Sequence, residues 1–254
     1  LDMIGYLKQD FIFNDDAIDY LIDTYTHEAG VRKLKEKLFE LFREINLTKL
    51  LNNNIELPFT IDIDYIKNHF SDSLKINVKK ILDKPHVGVI NGLYATSMGT
   101  GGITIIEVMK TPSNVNLSLE LTGSQGDVMK ESMRCAKTVA WNLIPNEIKK
   151  QINLELNDIG SFGLHIHCPD NATPKDGPSA GAAITTAIIS RLCNIKVINT
   201  IAMTGEIDLN GKIHKIGGLE SKLNGAKRAG VKKVFIPQDN DCLLYTSPSP
   251  RDSC

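Results

Sequence analysis

Apolar residues recur three and four positions apart through the first 70 residues of the chain. This spacing places them on one face of a helix, with charged residues on the other faces. Two such helices are predicted, one built on Ala17, Ile18, Leu21, Ile22 and Tyr25, the other on Val31, Leu34, Leu38, Leu41 and Ile45. Asn14 is predicted to cap the first helix, and a short strand and a third helix are predicted within residues 61–70. We interpret residues 1–70 as a small helical domain.

The helical periodicity is lost over residues 71–86, which we interpret as a linker. From residue 87 to residue 241 the pattern predicts strands alternating with helices, and hence a mixed α/β domain in an α+β protein. Strands are predicted within 86–96, 102–110, 114–123, 162–169, 200–209 and 232–237, and helices over 127–143, after Ser179 and over 219–229. The inner face of the 127–143 helix is predicted to carry Val128, Met129, Ser132, Ala136, Val139 and Leu143. Asn210-Gly211 predicts a type I′ hairpin turn.

Composition limits the function classes without choosing among them. The chain is 42% hydrophobic and 23% charged, as is usual for a globular protein with a core. Its net charge of −1 gives no support for nucleic-acid binding by bulk charge. No apolar run approaches the roughly 18 residues of a membrane span. Five cysteines without C-x-x-C spacing favour a reducing compartment.

Both ends of the sequence suggest a piece of a larger protein. The chain opens on Leu1, directly inside amphipathic sequence. Residues 242–254 ("CLLYTSPSPRDSC") continue no earlier pattern, and we interpret them as a non-native tail. We therefore expect the domain over 87–241 to be truncated at its C-terminal end.

One serine stands where turn-forming sequence gives way to an apolar helix. In "ATPKDGPSAGAAITTAIIS", Pro178 suits the first turn of a helix, and Ser179 follows it. The hydroxyl of Ser179 would therefore lie beside unpaired backbone N–H groups at the positive end of the helix dipole. Two interpretations follow from these residues, namely a helix cap or a nucleophile whose oxyanion those N–H groups would stabilise.

A nucleophilic serine needs a base, and Lys222 is one candidate. Lys222 lies on the apolar stripe formed by Leu219, Leu223 and Ala226 in "GGLESKLNGAKRAG". Burial there would lower the pKa of its amine, so that it could act as a general base. The alternative is a lysine that extends along the helix edge to solvent.

Two histidines and a glycine-rich run offer weaker signals. His165 and His167 are two apart on a predicted strand and so share a face, where spacing positions no third ligand for a metal. We interpret this pair as a polar, hydrogen-bonded strand face. "GTGG" over residues 99–102 lacks the Gly-Lys-Ser/Thr ending of a P-loop and is better explained as a tight turn between strands.

Several motifs, in their order and spacing, resemble the Lon family of ATP-dependent proteases. They are "ELTGSQGDVMKES", "ATPKDGPSAG" and "AMTGEIDLNGKIHKIGGLESK", with 43 residues separating Ser179 from Lys222. "YTHEAGVRKL" resembles the helical lid of the Lon ATPase module. The resemblance covers residues 1–240, and the "KDGPSAG" motif is highly specific.

The resemblance implies a serine–lysine dyad and several supporting residues. Ser179 would be the nucleophile and Lys222 the base, while Thr204 matches a threonine whose hydroxyl helps to hold the lysine amine. The remaining matches are Asp176 on the serine loop, His165 and His167 beside the site in a supporting role, and Arg32, which resembles the nucleotide-sensing arginine of the lid. No metal ligands are implied.

For the full-length protein the resemblance implies ATP with magnesium as cofactor, unfolded or damaged proteins as substrates, and a homo-hexamer. This chain contains no P-loop, so we expect the fragment alone to bind no cofactor. The implied location is the cytoplasm, or the mitochondrial matrix in a eukaryote; membrane association and nucleic-acid binding are not indicated. Two alternatives stay open, a Lon-like scaffold or binding domain without protease activity and a serine–lysine protease without an ATPase.

Overall fold

A computed structural model describes residues 7–26, 28, 30–52, 57–73, 79–96, 99–158, 160–169 and 176–241. The predicted tail 242–254 and residues 74–78 of the predicted linker lie outside the described residues. The chain divides into two compact units, residues 1–77 and 78–254. This division falls inside the segment predicted as a linker, and its behaviour as a hinge stays a prediction.

Within its described residues, the smaller unit contains three α-helices, a short 3-10 helix over Lys8–Asp10 and a pair of short parallel strands. Its elements are β1 (Phe11–Phe13), α1 (Asp15–Tyr25), α2 (Arg32–Asn52), β2 (Phe59–Ile61) and α3 (Ile63–His69). Its core contains Leu21, Leu41 and Ile45 from the predicted faces of α1 and α2. Two details of the prediction were wrong. Val31 precedes α2 and is 71% exposed, and the side chain of Asn14 makes no capping hydrogen bond, although it stands at the cap position of α1.

The larger unit alternates strands and helices, which confirms the predicted α+β fold class. Its elements are β3 (His86–Val87), β4 (Val89–Ala95), β5 (Gly101–Pro112), β6 (Leu119–Thr122), α4 (Asp127–Leu143), α5 (Asn146–Asp158), β7 (Phe162–His167), α6 (Gly181–Cys193), β8 (Lys196–Val197), β9 (Ile201–Met203), β10 (Glu206–Ile207), β11 (Ile213–His214), α7 (Leu219–Ala229) and β12 (Lys233–Phe235). Over the described residues, no helix has the length and apolar character needed to cross a membrane.

Six strands form the main sheet in the order β12-β9-β4-β5-β7-β6. β5 is antiparallel to both of its neighbours, β4 and β7, whereas the other adjacent pairs are parallel. β4, β7 and β9 therefore end at the same edge of the sheet, which is also the edge where β5 begins. The loops that carry the candidate site leave the sheet from this edge.

Helices cover both faces of the sheet, as the alternation along its strands requires. Ile90 and Ile106 point to one face and pack in the main core with residues of α4 and α6. Leu93 and Ile103 point to the opposite face and pack with Ala226 of α7. Ser179 at the start of α6 and Lys222 on α7 thus approach the sheet edge from different sides.

The predicted strand over 114–123 and the predicted face of α4 were partly wrong. Only Leu119–Thr122 pairs with β7, because the chain turns before it, with Leu117 at a φ of +53°. Val115 is accordingly 65% exposed. α4 has the predicted bounds, but its buried face is rotated, so that Met133 and Ala140 are buried while Val128 and Leu143 are exposed.

The hairpin turn also differs from the prediction, and one helix was not predicted at all. A type I′ turn needs positive φ at both central residues, yet φ is positive at Gly211 and not at Asn210. Five residues connect β10 to β11, because Asp208 Oδ1 accepts hydrogen bonds from the backbone N–H groups of Asn210 and Lys212. The unpredicted helix is α5, which packs Ile152 into the main core.

Candidate active site

Ser179 lies in a 3-10 turn, Pro178–Ala180, that leads directly into α6. Gly177 before the turn has a φ of +120°, a conformation that favours glycine. The cap position of α6 is occupied by Ala180, and no side chain makes a capping hydrogen bond there. Ser179 is therefore not the helix cap, and its hydroxyl is available for other contacts.

The backbone of the serine turn is held by the connection between β9 and β10. Gly205 N–H donates to the carbonyl oxygen of Ser179 at 2.7 Å, and the carbonyl oxygen of Gly205 accepts from Ala182 N–H at 3.0 Å. On the α4 side, Ser132 Oγ donates to the carbonyl oxygen of Pro178 at 3.4 Å. Ser132 is buried on α4, as predicted, but its contact with the serine turn was not predicted, and neither was the contribution of Gly205. The Thr-Gly pair in "AMTGE" was the available signal for Gly205.

Asp176 joins the serine loop to the start of α4. Its Oδ1 accepts hydrogen bonds from the backbone N–H of Met129 at 3.0 Å and from that of Gly177 at 2.9 Å. A carboxylate at this position also interacts favourably with the positive end of the α4 dipole. In this structure Asp176 therefore fixes the loop that carries Ser179.

Lys222 reaches Ser179 from α7. Its side-chain Nζ lies 2.9 Å from Ser179 Oγ and 3.2 Å from Thr204 Oγ1, and the residue is only 3% exposed. The predicted position on the inner face of the helix is confirmed. α7 begins directly after Gly218, whose φ of +65° turns the chain into the helix.

Burial lowers the pKa of the Lys222 amine from 10.5 to about 8. The physical cause is the loss of hydration, which disfavours the charged ammonium form. Roughly a tenth of the amine is consequently uncharged at pH 7, far more than for an ordinary lysine, and this neutral form has a lone pair that can accept a proton.

Thr204 stands between the two residues and is 1% exposed. Its hydroxyl donates to the carbonyl oxygen of Ser179 at 3.2 Å, which leaves its oxygen lone pairs to accept an N–H of Lys222. Its backbone N–H donates to the carbonyl oxygen of Phe235 at the end of β12. The hydroxyl is thus fixed by the sheet, and it directs one amine hydrogen away from Ser179 Oγ.

The two histidines lie on the same face of β7, as predicted, and both contact one hydroxyl. Thr122 Oγ1 is 2.8 Å from His165 Nε2 and 2.7 Å from His167 Nδ1. This confirms the predicted polar strand face; Thr122, at the end of β6, was missed. Within the described part of the chain, no cluster of three His, Cys, Asp or Glu residues could bind a metal ion.

Comparison with known proteins places this arrangement in a family. A family model described as the Lon protease (S16) C-terminal proteolytic domain matches residues 61–250. The chain belongs to the Lon protease family. A second model, the Lon protease AAA+ ATPase lid domain, matches residues 3–56. The Ser179–Lys222 contact therefore lies within the residues matched by the model of the proteolytic domain.

Individual Lon proteases align with nearly the whole chain. Lon protease of Campylobacter jejuni is 42% identical over 241 residues, which cover 93% of this chain and 30% of that protein. Lon protease of Clostridium beijerinckii is 40% identical over 248 residues, which cover 98% of this chain and 30% of that protein. A Lon protease homolog of Acanthamoeba polyphaga mimivirus is 38% identical over an alignment that covers 97% of this chain and 30% of that protein. The chain thus spans less than a third of the length of these relatives.

Arg32, the remaining predicted site residue, lies in the part matched by the Lon lid model. It is the first residue of α2, and its guanidinium Nε donates to Glu36 Oε1 at 3.2 Å. Its side chain is 89% exposed. The structure therefore leaves the guanidinium accessible from solvent.

Proposed function

We propose that the protein is an ATP-dependent serine endopeptidase in which Ser179 is the nucleophile and Lys222 the general base. The observation that carries the catalytic part of this proposal is the 2.9 Å contact between Lys222 Nζ and Ser179 Oγ, made by a lysine whose pKa burial lowers to about 8. A nucleophile within hydrogen-bond reach of a base, with a third group orienting that base, is the general arrangement for covalent acyl transfer.

In the acylation step Ser179 Oγ attacks the carbonyl carbon of the scissile peptide bond. The hydroxyl proton passes to the neutral amine of Lys222, which becomes an ammonium. Collapse of the tetrahedral adduct breaks the C–N bond, and the leaving nitrogen takes the proton back from Lys222. An acyl ester on Ser179 and a free amine product result, and Lys222 is neutral again.

Hydrolysis of the ester follows the same course with water as the nucleophile. Lys222 accepts a proton from the attacking water and returns it to Ser179 Oγ when the ester C–O bond breaks. The first N–H groups of a helix have no intrahelical partner. Pro178 has no N–H, and the N–H groups of Gly181 and Ala182 donate to the carbonyl oxygens of Pro178 and Gly205. We therefore assign stabilisation of the oxyanion in both tetrahedral adducts to the N–H groups of Ser179 and Ala180.

Active-site labelling and peptide hydrolysis test this proposal together. A fluorophosphonate probe should phosphonylate Ser179 with loss of fluoride, as identified by peptide mass mapping, and the protein should cleave an unstructured peptide. A Lon-like scaffold or binding domain would give neither labelling nor cleavage. Labelling of a serine other than Ser179, with cleavage retained, would also contradict the proposal.

Thr204→Val should lower peptide hydrolysis by roughly 10- to 100-fold, since a hydrogen bond to a charged or reacting group contributes about 1.5–3 kcal/mol. Valine keeps the shape of threonine but offers no hydroxyl to the amine of Lys222. Thr204→Ser retains the hydroxyl and is the matched control. Steady-state hydrolysis of a fluorogenic peptide by both variants is the measurement. Equal rates for the valine variant and the unmodified protein would exclude the orienting role.

We also propose that the full-length protein uses ATP with magnesium to drive degradation of unfolded or damaged proteins, and that it does so as a homo-hexamer. The support is the match of residues 3–56 to the Lon ATPase lid model. Light scattering of the full-length protein measures the assembly. A monomer at working concentration would contradict the hexamer.

Arg32→Ala in the full-length protein should impair ATP-driven degradation of a folded substrate, while cleavage of a short peptide is largely spared. The accessible guanidinium at the start of α2 is suited to contact nucleotide phosphates. Lys33→Ala removes a neighbouring exposed charge and is the control. Both substrates are assayed with and without ATP, and an equal loss for both would argue against nucleotide sensing.

A further inference from the structure

The first turn of α7, which carries Lys222, lies against the beginning of β5. Ser221 Oγ donates a hydrogen bond of 2.7 Å to the carbonyl oxygen of Gly99, in the turn that leads into β5. Near the other end of α7, an Nη of Arg228 donates to the carbonyl oxygen of Gly101 at 3.2 Å. Two hydrogen bonds thus hold the helix to this short piece of chain.

Gly101 lies at a close approach of the two backbones. A Cβ atom on Gly101 would lie 2.5 Å from the carbonyl carbon of Ser221 and closer still to its oxygen, and 2.9 Å from the carbonyl oxygen of Tyr94. These obstacles are backbone atoms, which no rotamer change can remove. Glycine is the residue that allows such an approach. Any side chain at this position would therefore have to push α7 away from β5.

We infer that Gly101 is a positioning residue for Lys222, because its lack of a side chain lets α7 lie close enough for the amine to reach Ser179. This inference rests on the proposed function of the Ser179–Lys222 pair. Ser221, the residue that a Cβ would displace, directly precedes Lys222 in the chain.

The partners of the amine are anchored elsewhere, so displacement of α7 would separate them from Lys222. The Ser179 turn is held by Gly205 and by α4, and Thr204 is held by its hydrogen bond to Phe235. None of these anchors involves α7. A helix pushed outward would carry Nζ away from Ser179 Oγ and would admit water around it. A displacement of about 1 Å at a reacting group can cost about 100-fold in rate.

Rehydration of the amine gives this role a distinctive signature in the pH profile. Burial lowers the pKa of Lys222, so added water raises that pKa toward its ordinary value. The neutral amine then forms only at higher pH. The rising limb of the rate against pH should consequently move to higher pH, which a uniform loss of folded protein would not produce.

The adjacent Gly102 provides a matched control. A Cβ atom on Gly102 would meet the Tyr94 side chain, 2.6 Å from its hydroxyl oxygen and 2.8 Å from Cζ. Tyr94 is 38% exposed, so its ring can move outward. Gly102→Ala therefore makes the same chemical change one residue away, where the nearest atoms belong to the Tyr94 side chain and not to the backbone of α7.

The test measures the rate of Ser179 labelling by a fluorophosphonate probe, together with peptide hydrolysis, from about pH 6 to pH 10. The Gly101→Ala variant should react about 100-fold more slowly near neutral pH, with its rising limb shifted to higher pH. Gly102→Ala should keep the rate within about threefold and the limb unchanged. Circular dichroism establishes that each variant is folded.

If Gly101→Ala does not fold, a milder variant tests whether the contact between α7 and β5 positions Lys222. Ser221→Ala removes the hydrogen bond to Gly99 without adding an atom. It should lower the labelling rate by about two- to tenfold, and the rising limb of the rate against pH should again move to higher pH. A folded Gly101→Ala with unchanged rate and limb, or a loss that is equal at every pH, would overturn the inference. If only Ser221→Ala folds, a pH profile whose rising limb is not shifted in that variant would also overturn the inference.

Lys222→Ala in the same series separates this inference from the proposed function. If Lys222→Ala retains the rate of the unmodified protein, the proposed base is wrong and the inference falls with it. If Lys222→Ala is inactive while Gly101→Ala behaves like the unmodified protein, only the positioning role of Gly101 is wrong.

Discussion

Ser179→Ala should abolish both peptide cleavage and fluorophosphonate labelling while leaving the fold intact. The substitution removes the only protein atom that bonds to the substrate carbonyl carbon in the proposed mechanism. Loss of the nucleophile in a serine protease costs roughly 10⁴-fold or more in kcat. The hydroxyl makes no capping bond to α6, so its removal leaves the helix start unchanged. Peptide hydrolysis and thermal unfolding of the purified variant are the measurements.

Ser161→Ala is the matched control for the nucleophile. Ser161 immediately precedes β7 and therefore lies at the opposite end of that strand from the edge where Ser179 is found. The control should cleave and label at the rate of the unmodified protein. Residual cleavage by Ser179→Ala within about tenfold of the unmodified rate would show that another residue carries the acyl group.

Local sequence predicts the helices of the proteolytic domain well where a clear stripe is bounded by turn residues. α7 has the predicted bounds because glycines flank it at both ends, with Gly218 and Gly230 at positive φ. The missed helix α5 does carry a stripe, Ile148, Ile152 and Leu156, at intervals of four after Pro145. Its exposed Leu154 obscures that pattern.

Errors in the predicted strands arise from contacts that no local pattern encodes. Alternation continues through Val115 and Leu117, but pairing with β7 begins only at Leu119, so the strand starts there. At the hairpin, the Asn-Gly pair would suit a two-residue turn. The carboxylate of Asp208 instead binds the N–H groups of Asn210 and Lys212 and makes the connection longer. In both cases tertiary or side-chain contacts override the local preference.

The sequence predicts which groups of the candidate site would react, but it does not predict how they meet. Ser179 and Lys222 are predicted from their helices and from the family motifs, yet 43 residues separate them and only the fold determines their 2.9 Å contact. The contribution of Asp176 is also a matter of fold, since its partner is the N–H of Met129 on another helix. The inferred role of Gly101 likewise could not be predicted from the sequence, because it depends on how close the backbone of α7 lies.

Lys222→Arg should be as inactive as Lys222→Ala, with a loss of about 10²–10⁴-fold in peptide hydrolysis. A general base must be neutral to accept the proton of Ser179. Burial lowers the pKa of the lysine amine to about 8, so this condition is met increasingly as the pH rises through that value. A guanidinium stays protonated at any usable pH, so arginine offers charge and length but no lone pair.

The pH dependence and one further variant make this prediction specific to Lys222. Cleavage by the unmodified protein should rise with pH through about 8 and then level off, because the amine is protonated below its pKa and neutral above it. Lys227→Arg, an exposed position on the same helix, should leave both rate and profile unchanged. Near-normal turnover by Lys222→Arg would exclude the lysine as base. If the cleavage rate then rises with pH around the ordinary histidine pKa of about 6.5, His165 and His167 would be the next candidates for the base.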